Sequence, residues 1–422
     1  MKISFVYLPY LKETEEEEKG VFPPLGVAYI AAVLRMYGHE SQIIDMEAEN
    51  LTSSEVISRI SEFEPDVVGL SFVTAGYKNF IALSSKIRDE LNIKAIISGG
   101  PHISAQPEDA IPYSDIGVIG EGEYTTLEIL NTLRMKDNLR QVKGIIFKDK
   151  EQIIKTPPRP PIENIDEIPF PARDLLNMEL YGDNKGSIMT SRSCPFNCIF
   201  CASRQIFGRG FRARSAKNVV DEIELLITKY NVEKLRILDD MFTFDKKRVF
   251  EICEIIKERN IKVRWELTNG TRVNSVTPEL LKAMKEAGLY RVYYGIESGS
   301  PKVLKALRKG ITLDQVRKAI KWTKDAGIEV GGFFMIGNPT ETIEDVRMTE
   351  KLIQELDLDY VHISITTPYP GSDLYKWVEK NARFITKDYE DFEKDFVFDT
   401  PDFPIEMRRK IYHELYEKYC SH

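Results

Sequence analysis

The eight residues from 194 to 201 constrain this chain more than any other stretch. They read Cys-Pro-Phe-Asn-Cys-Ile-Phe-Cys, so three thiols lie in one short loop. Three thiolates suit a cubane iron–sulfur cluster that keeps one iron without a protein ligand, because a complete protein set needs four cysteines. An open metal position can take a further ligand, as in catalytic metal sites. The spacing therefore predicts a reactive iron–sulfur centre on Cys194, Cys198 and Cys201.

Two other interpretations of these cysteines stay open, a zinc knuckle and a set of buried free thiols. A zinc site needs a fourth Cys or His nearby, and the next cysteine is Cys253, in a segment with a helical pattern. We expect Cys253 and Cys420 to be structural thiols. Three cysteines committed to one motif imply a reducing compartment, so we expect a cytoplasmic protein.

Length and charge limit the fold and the partners. The 422 residues suffice for two or three domains, each with its own core. A net charge of −8 argues against nucleic acid as the main partner. No apolar run approaches the ~20 residues of a membrane span. We therefore expect neither a nucleic-acid partner nor a membrane span.

The pattern of strands and helices predicts an α/β protein with two main domains. Residues 1–141 alternate strands and helices, which predicts a flavodoxin-like (Rossmann-type), doubly wound parallel sheet of five strands. Residues 142–186 read as a hairpin followed by a proline-rich, semi-rigid linker. Residues 187–371 contain six further strand–helix repeats, which suit a partial (β/α)6 TIM-type barrel. Residues 372–422 form a small helical C-terminal extension rich in aromatic anchors.

Candidate binding residues lie where strands end, which is where α/β sheets and barrels bind ligands. In the first domain these segments are residues 71–77, 98–102 and 120–123, which contain several glycines. Glycine lets the backbone approach a ligand closely. The dinucleotide fingerprint G-x-G-x-x-G is missing after the first strand, which disfavours a nucleotide-binding interpretation. The glycine loops could also be tight turns with no ligand.

The cysteine spacing, with Phe200 just before the third cysteine, resembles the signature of the radical S-adenosylmethionine (SAM) superfamily. In the first domain the matching features are Phe-Pro-Pro-Leu-Gly-Val-Ala-Tyr-Ile-Ala at 22–31, the Gly-Gly-Pro-His loop and Gly-Glu-Gly-Glu. They resemble the cobalamin (B12)-binding domain that precedes the barrel in one large subgroup. The resemblance covers almost the whole chain and implies a [4Fe–4S] cluster, SAM and cobalamin as cofactors.

The resemblance also implies roles for residues. The cluster falls to Cys194, Cys198 and Cys201, the SAM amino group to Asp240, the carboxylate to Arg272 and the ribose to Glu297. The full set of SAM-binding candidates is Phe200, Asp240, Asn269, Arg272, Glu297, Ser298, Ile336 and Asn338. The cobalamin-binding candidates are Leu25, Ser71, Thr74, Tyr77, Gly99, Gly100, His102, Glu121, Gly122 and Glu123. No catalytic residue is predicted beyond the cluster ligands and cofactors.

The chain departs from classical cobalamin proteins at one place, where radical SAM relatives commonly depart too, and from those relatives at another. The D-x-H-x-x-G segment of classical cobalamin proteins is absent, so no histidine is expected on the lower face of cobalt, and Tyr77 or Thr74 would approach it. His102 has the alternative of simply capping its loop. In the loop after the fifth barrel strand, Thr340 stands where relatives have glycine, which we expect to alter loop stiffness rather than chemistry.

The resemblance implies an enzyme that methylates an unactivated carbon through a 5′-deoxyadenosyl radical and methylcobalamin. The implied partners are a small-molecule or lipid-like substrate and an external one-electron reductant of flavodoxin or ferredoxin type. One alternative is a relative with the same cofactors that cyclises, oxidises or rearranges its substrate. Others are a cobalamin-binding or redox-sensing protein without turnover, and a transfer-RNA methylthiolase. The last would need an N-terminal cysteine-bearing domain, whereas residues 1–193 contain no cysteine.

Overall fold

The structure is a computed structural model, and it describes residues 1–9 and 21–420. The chain forms two compact units. The first comprises Met1–Lys185 and Ala202–Gly208, and the second comprises Gly186–Cys201 and the chain from Arg209 onward. Within the described residues, no helix has both the length and the apolar character that crossing a bilayer requires.

The first unit is built on one seven-stranded sheet with helices between its parallel strands. The strands are β1 (Lys2–Tyr7), β2 (Glu40–Asp45), β3 (Val67–Ser71), β4 (Ala95–Gly99), β5 (Ile116–Val118), β6 (Ile145–Asp149) and β7 (Gln152–Lys155). The helices are α1 (Leu25–Met36), α2 (Ser53–Phe63), α3 (Tyr77–Glu90), α4 (Pro101–Ala105), α5 (Glu123–Met135) and α6 (Arg204–Phe207). The strand order is β2-β1-β3-β4-β5-β6-β7. Its first five strands have the flavodoxin-like order, which confirms the predicted fold.

The hairpin that the sequence analysis counted with the linker is part of this sheet. Strand β6 pairs antiparallel with β5, and β7 pairs antiparallel with β6. Ile145 and Ile146 are completely buried, whereas the outer strand β7 is mostly exposed. Burial of these isoleucines explains why the hairpin joins the sheet and does not hang from it.

The proline-rich segment after the hairpin is docked on the first unit. The Ala172 amide donates to the Ala28 carbonyl at 3.0 Å. The Tyr181 hydroxyl donates at 2.8 Å to the buried carboxylate of Asp45, at the end of β2. The segment is therefore held by buried polar contacts in addition to the stiffness of its prolines.

The second unit contains a six-stranded parallel sheet of order β8-β11-β12-β13-β14-β15. The strands of this unit are β8 (Ser187–Ile188), β9 (Ser191–Arg192), β10 (Arg212–Ala213), β11 (Lys234–Ile237), β12 (Arg264–Thr271), β13 (Leu289–Glu297), β14 (Glu329–Ile336), β15 (Tyr360–Ile365), β16 (Arg383–Phe384) and β17 (Phe398–Asp399). The helices are α7 (Ala216–Tyr230), α8 (Lys246–Glu258), α9 (Pro278–Glu286), α10 (Pro301–Ala306), α11 (Leu313–Asp325), α12 (Ile343–Leu356), α13 (Asp373–Asn381) and α14 (Ile405–Tyr419). Six parallel strands with helices between them confirm the predicted partial barrel.

Two apolar clusters hold the second unit together. The larger lies between the sheet and its helices and includes Val292, Tyr294 and Ile296 of β13. The smaller joins the C-terminal extension to the cysteine loop, through Ile199 and Phe392 among others. The aromatic anchors of the extension are therefore core residues, and Phe392, Phe396 and Phe398 are almost fully buried.

Gly100 is a position where only glycine fits. Its φ of 107° and ψ of −172° lie in a region that other residues avoid. A Cβ there would lie 2.6 Å from the Phe72 carbonyl oxygen, whereas a Cβ at Gly99 would meet only Val118, at 3.7 Å. A methyl group should therefore destabilise the fold more at Gly100 than at Gly99.

We expect Gly100→Ala to lower the free energy of unfolding by about 2 kcal/mol or more, because it adds backbone strain and a clash. The matched variant Gly99→Ala should change it by less than about 1 kcal/mol. Chemical denaturation followed by circular dichroism measures both. Equal effects of the two substitutions would contradict this account of the loop.

Candidate active site

The three cysteines lie in a loop that follows β9 and is held at its centre. Ile199, between the second and third cysteine, is 4% exposed. Its amide donates to the Leu307 carbonyl at 3.1 Å, and its carbonyl accepts from the Leu374 amide at 2.8 Å. The loop is thus fixed between the end of α10 and the start of α13, and its cysteines remain half-buried.

The thiols do not form a site for a single metal ion. Across residues 1–9 and 21–420, no group of three His, Cys, Asp or Glu side chains could hold one ion. A zinc knuckle needs its ligands gathered around one ion. A cubane cluster has several irons, and each can take its own cysteine. The donor set of three thiols therefore fits a cluster better than it fits zinc.

Positive charge surrounds the middle cysteine. The Arg272 Nη1 lies 3.8 Å from the Cys198 sulfur. Burial raises the pKa of the Cys198 thiol, and the charges of Lys309 and Arg272 act in the opposite direction. Burial also raises the pKa of the Cys194 thiol, to about 11. The pKa of the Cys198 thiol remains raised overall, and the two cations offset part of the cost of burying negative charge at this sulfur.

Arg272 uses most of its donors within the protein. Its guanidinium lies over the Phe196 ring, 3.7 Å from the centroid, and Nη2 donates to the carbonyls of Lys309 and Gly310. Nε donates to Asn274 at 3.3 Å. The residue is 4% exposed. Arg272, predicted to bind the SAM carboxylate, is thus packed against the cysteine loop.

Lys309 is a site residue that the sequence analysis missed. Its Nζ donates to Glu297 Oε1 at 2.7 Å, in a pair whose side chains are 6% and 8% exposed. It also lies 5.8 Å from the Phe200 ring centroid. In the sequence, Lys309 is one of many lysines near a helix end, and only the fold brings it beside Glu297 and the cysteine loop.

The Glu297–Lys309 pair depends on unusual backbone. Glu297 has a φ of 69° and lies at an irregularity in the pairing of β13 with β14. A Cβ at Gly295 would lie 2.8 Å from both Glu297 Oε1 and Lys309 Nζ. The glycine therefore leaves room for the two charged groups to meet inside the unit.

The two aspartates after β11 have different surroundings. Asp239 is buried and accepts from the Thr190 amide at 2.6 Å, with the hydroxyls of Thr190 and Ser191 also bonded to it. Asp240 is only half-buried and lines one small cavity together with Asn269, which also donates to the Leu238 carbonyl. Both aspartates line this cavity, Asp240 is the less buried of the two, and its assignment to SAM stays a prediction.

The loop after β14 is organised from within. Asn338 is completely buried, donating to Met335 and Glu341 and accepting from Thr366. Glu341 accepts from the amides of Gly337 and Asn338, and burial raises its pKa to about 7. Ile336 is likewise fully buried. Glu341, which the site prediction did not include, is therefore the residue that shapes this loop.

Ser298 is also an internal residue. It is fully buried, its hydroxyl lies 3.2 Å from that of Thr349, and it accepts from the Ser300 amide. The predicted SAM-binding residues thus fall into two groups. The side chains of Asn338 and Ser298 are used within the fold, whereas Asp240, Asn269 and Phe200 keep exposed surface.

In the first unit, the candidates after β3 and β4 form one cluster. His102 is completely buried, with Nδ1 3.4 Å from the Thr74 hydroxyl and Nε2 3.1 Å from an Asp109 oxygen. The Tyr77 ring lies 4.8 Å from the imidazole. Ser71 and the two glycines lie at the same strand ends. The imidazole therefore has the surroundings of a residue that fixes its loop.

The remaining candidates of the first unit lie where α1 meets α5. Glu121 Oε2 accepts from the Ile162 amide at 2.7 Å, which ties the proline-rich segment to this end of the sheet. Gly122 lies against Ile30, since a Cβ there would be 2.7 Å from its side chain. Glu123 and Leu25 are both 4% exposed. The side chains of Glu121, Glu123 and Leu25 are therefore mostly covered.

Comparison with known proteins identifies both halves of the chain. Residues 17–130 match the B12 binding domain, and residues 188–353 match the Radical SAM superfamily. An uncharacterized methyltransferase of Pyrococcus horikoshii is 38% identical, over 99% of this chain and 92% of its own length. The chain belongs to the radical SAM enzymes with a B12-binding domain.

Two further relatives and one solved structure agree with this assignment. Cytidylyl-2-hydroxyethylphosphonate methyltransferase of Streptomyces wedmorensis is 30% identical over 84% of this chain and 77% of its own length. Anaerobic magnesium-protoporphyrin IX monomethyl ester cyclase of Rubrivivax gelatinosus is 32% identical over 95% and 73%. The fold is that of the methyltransferase TsrM of Kitasatospora setae, with a TM-score of 0.76 at 16% identity over 93% of this chain and 81% of that one.

This radical SAM enzyme therefore depends on a [4Fe–4S] cluster, SAM and cobalamin. Its residues fit the first of these groups, because the loop offers three thiols in eight residues. Two cations lie where an anionic cluster would need them.

We expect Lys309→Met to lower the free energy of unfolding by about 3–5 kcal/mol, because it leaves the Glu297 carboxylate buried without its partner. Lys305→Met, on the exposed side of the preceding helix, should cost less than about 0.5 kcal/mol. The double variant Glu297→Gln with Lys309→Met should recover part of the loss. A double variant no more stable than Lys309→Met would contradict the buried pair.

In the loop after β14, one substitution is expected to raise the free energy of unfolding. Thr340 has a φ of 62°, a left-handed conformation that costs a β-branched residue about 1–2 kcal/mol. We expect Thr340→Gly to raise the free energy of unfolding by about 1 kcal/mol. Thr342→Gly should lower it, because Thr342 caps α12 in a capping box with Asp345. Thermal denaturation of both variants provides the test.

Proposed function

We propose that this enzyme transfers a methyl group to an unactivated carbon of a small molecule. The observation that carries the proposal is the likeness, over nearly the full length, to a relative named as a methyltransferase. A second relative with such a name, 30% identical, adds support. The bound cofactors would supply a 5′-deoxyadenosyl radical and the methyl group, and the chain would hold and orient them.

We infer the following division of labour in the second unit. Cys194, Cys198 and Cys201 hold the cluster, and Arg272 and Lys309 stabilise its negative charge. Phe200 flanks the adenine of SAM, and Ile336, whose side chain is fully buried, contributes through its backbone at the end of β14. The polar groups of SAM fall to Asp240, Asn269 and Glu297. Ser298, Asn338 and Glu341 act indirectly, by fixing the loops that carry these contacts.

In the first unit we assign cobalamin to the ends of β3 and β4. The backbone of Gly99 and Gly100 and the side chains of Ser71, Thr74 and Tyr77 would face the corrinoid. His102 would act by holding Thr74 and its own loop, since its ring is buried between Thr74 and Asp109. Glu121, Gly122, Glu123 and Leu25 would shape the neighbouring edge.

A radical reaction of this kind requires electrons from outside the protein. We propose a flavodoxin- or ferredoxin-type protein as the one-electron reductant. The substrate would be a small molecule or a lipid-like molecule.

A second function has specific support. A relative that is 32% identical is named as a cyclase. The same residues could therefore serve cyclisation, oxidation or rearrangement of the carbon radical, with no methyl group transferred.

The decisive experiment follows the methyl group. The anaerobically reconstituted enzyme is given SAM labelled in its methyl group, a one-electron reductant and the small-molecule fraction of an anaerobic cell extract. We expect labelled product by mass spectrometry, with S-adenosylhomocysteine and 5′-deoxyadenosine formed in equal amounts. Cys198→Ala should abolish the labelled product and 5′-deoxyadenosine, and Cys420→Ala should abolish neither of them. Formation of 5′-deoxyadenosine with no label in any product would favour the second function.

A further inference from the structure

Helices of the second unit pack on one face of its six-stranded sheet. Along β13, Val292, Tyr294 and Ile296 lie in the core between sheet and helices. Because side chains alternate along a strand, Arg291 and Tyr293 lie on the opposite face, which is the interior of the partial barrel. The strand registers place further side chains beside them in successive layers.

The lowest of these layers, near the starts of the strands, is charged and internally paired. Arg236 Nε lies 2.9 Å from Glu266 Oε1, and Arg291 Nη1 lies 3.5 Å from Glu266 Oε2. Arg291 also donates to Glu329 at 2.8 Å and to the Tyr360 hydroxyl at 2.7 Å. With its charges paired among themselves, this layer closes the lower end of the interior.

An aromatic layer lies above the charged one. The rings of Tyr293 and Phe333 stack, with centroids 5.2 Å apart and an interplanar angle of 23°. His362 meets Phe333 edge-on, at 5.5 Å and 81°. All three side chains are half-exposed. Phe333 keeps this exposed surface even though both Tyr293 and His362 contact its ring.

Glycines create the space around this layer. A Cβ at Gly331 would lie 2.3 Å from the Tyr293 ring, so glycine allows that ring to lie across β14. Toward the carboxyl ends of the strands, Gly270 and Gly295 adjoin each other, and a Cβ at Gly270 would lie 3.5 Å from the Phe333 ring. No side chain therefore extends from either position over Phe333.

The candidate active site lies at the same end of the same strands. Glu297 is two residues beyond Gly295 on β13, and Asn269 precedes Gly270 on β12. We propose that Phe333, which contacts Tyr293 and His362, is the floor of the substrate pocket and binds a flat, apolar ring of the substrate by stacking. This proposal rests on the proposed function in one respect: it takes the bound ring to be part of the substrate, the molecule that loses a hydrogen atom.

The chemistry of the layer selects this class of molecule. An aromatic face binds another ring in offset stacking, which adds to the burial of apolar area. The charges beneath are already paired, so they offer no open partner to a charged group at this depth. Ser364 is exposed and lies one layer above His362; its hydroxyl donates to the Phe334 carbonyl at 3.3 Å and can accept a hydrogen bond from a polar substituent of the ring.

The test uses the holoenzyme loaded with cluster, SAM and cobalamin, and two probes of similar size. Indole is planar and cyclohexylmethanol is not, and their binding is measured by ligand-observed NMR titration. We expect indole to bind more tightly than cyclohexylmethanol. Phe333→Ala should weaken indole binding by about five- to tenfold. Phe333→Leu should restore the binding of cyclohexylmethanol more than that of indole.

Tyr230→Ala is the matched control, because Tyr230 is a half-buried aromatic residue packed on the helix-side core, and it should leave indole binding unchanged. Iron content and SAM affinity of the Phe333 variants should match those of the wild type. A loss of SAM affinity in both Phe333 variants would overturn the proposal, because the ring would then hold the adenine. Indole binding that is absent, or insensitive to Phe333, would overturn it as well. Neither result depends on whether methyl label reaches a product.

Discussion

The second unit depends on how Ile199 holds the cysteine loop. A loop with three thiols has no regular hydrogen bonding of its own, yet a cluster needs its ligands in fixed positions. Both backbone groups of Ile199 are bonded to segments more than 100 residues away along the chain, and its side chain is buried against the C-terminal extension. The extension is therefore a structural part of the site.

Charge is the second constraint on this site. Arg272 and Lys309 approach the loop from β12 and from the turn after α10, and each is fixed by buried contacts. Burying two cations is favourable only where negative charge compensates them. Glu297 compensates one, and the thiolates or a cluster would compensate the other. The same arrangement thus orders the loop and prepares it for an anionic group.

Polar residues at the strand ends divide into those that build the site and those that face into it. One group is hydrogen-bonded to other protein groups, as buried polar groups must be; it comprises Asp239, Ser298, Asn338 and Glu341. Asp240 and Asn269 retain exposed surface. In the first unit, the side chains of His102 and Glu121 are likewise bonded within the protein. Gly99 and Gly100, at the end of β4, keep partly exposed backbone. A binding site of this kind needs more supporting residues than contacting ones.

The sequence by itself determined the fold class, both families and the positions of the strands. Strong periodicity and a three-cysteine motif are local signals, so the alternating strands and helices of both main domains and the cysteine loop follow from the sequence. It could not determine that the hairpin β6–β7 joins the first sheet, that Lys309 pairs with Glu297, or that Phe333 lies open above a charged layer. Nor could it separate Asn338 from Asp240. These features arise from contacts between residues distant in sequence. Only the folded chain decides which side chains are buried and which polar groups have hydrogen-bond partners within the protein.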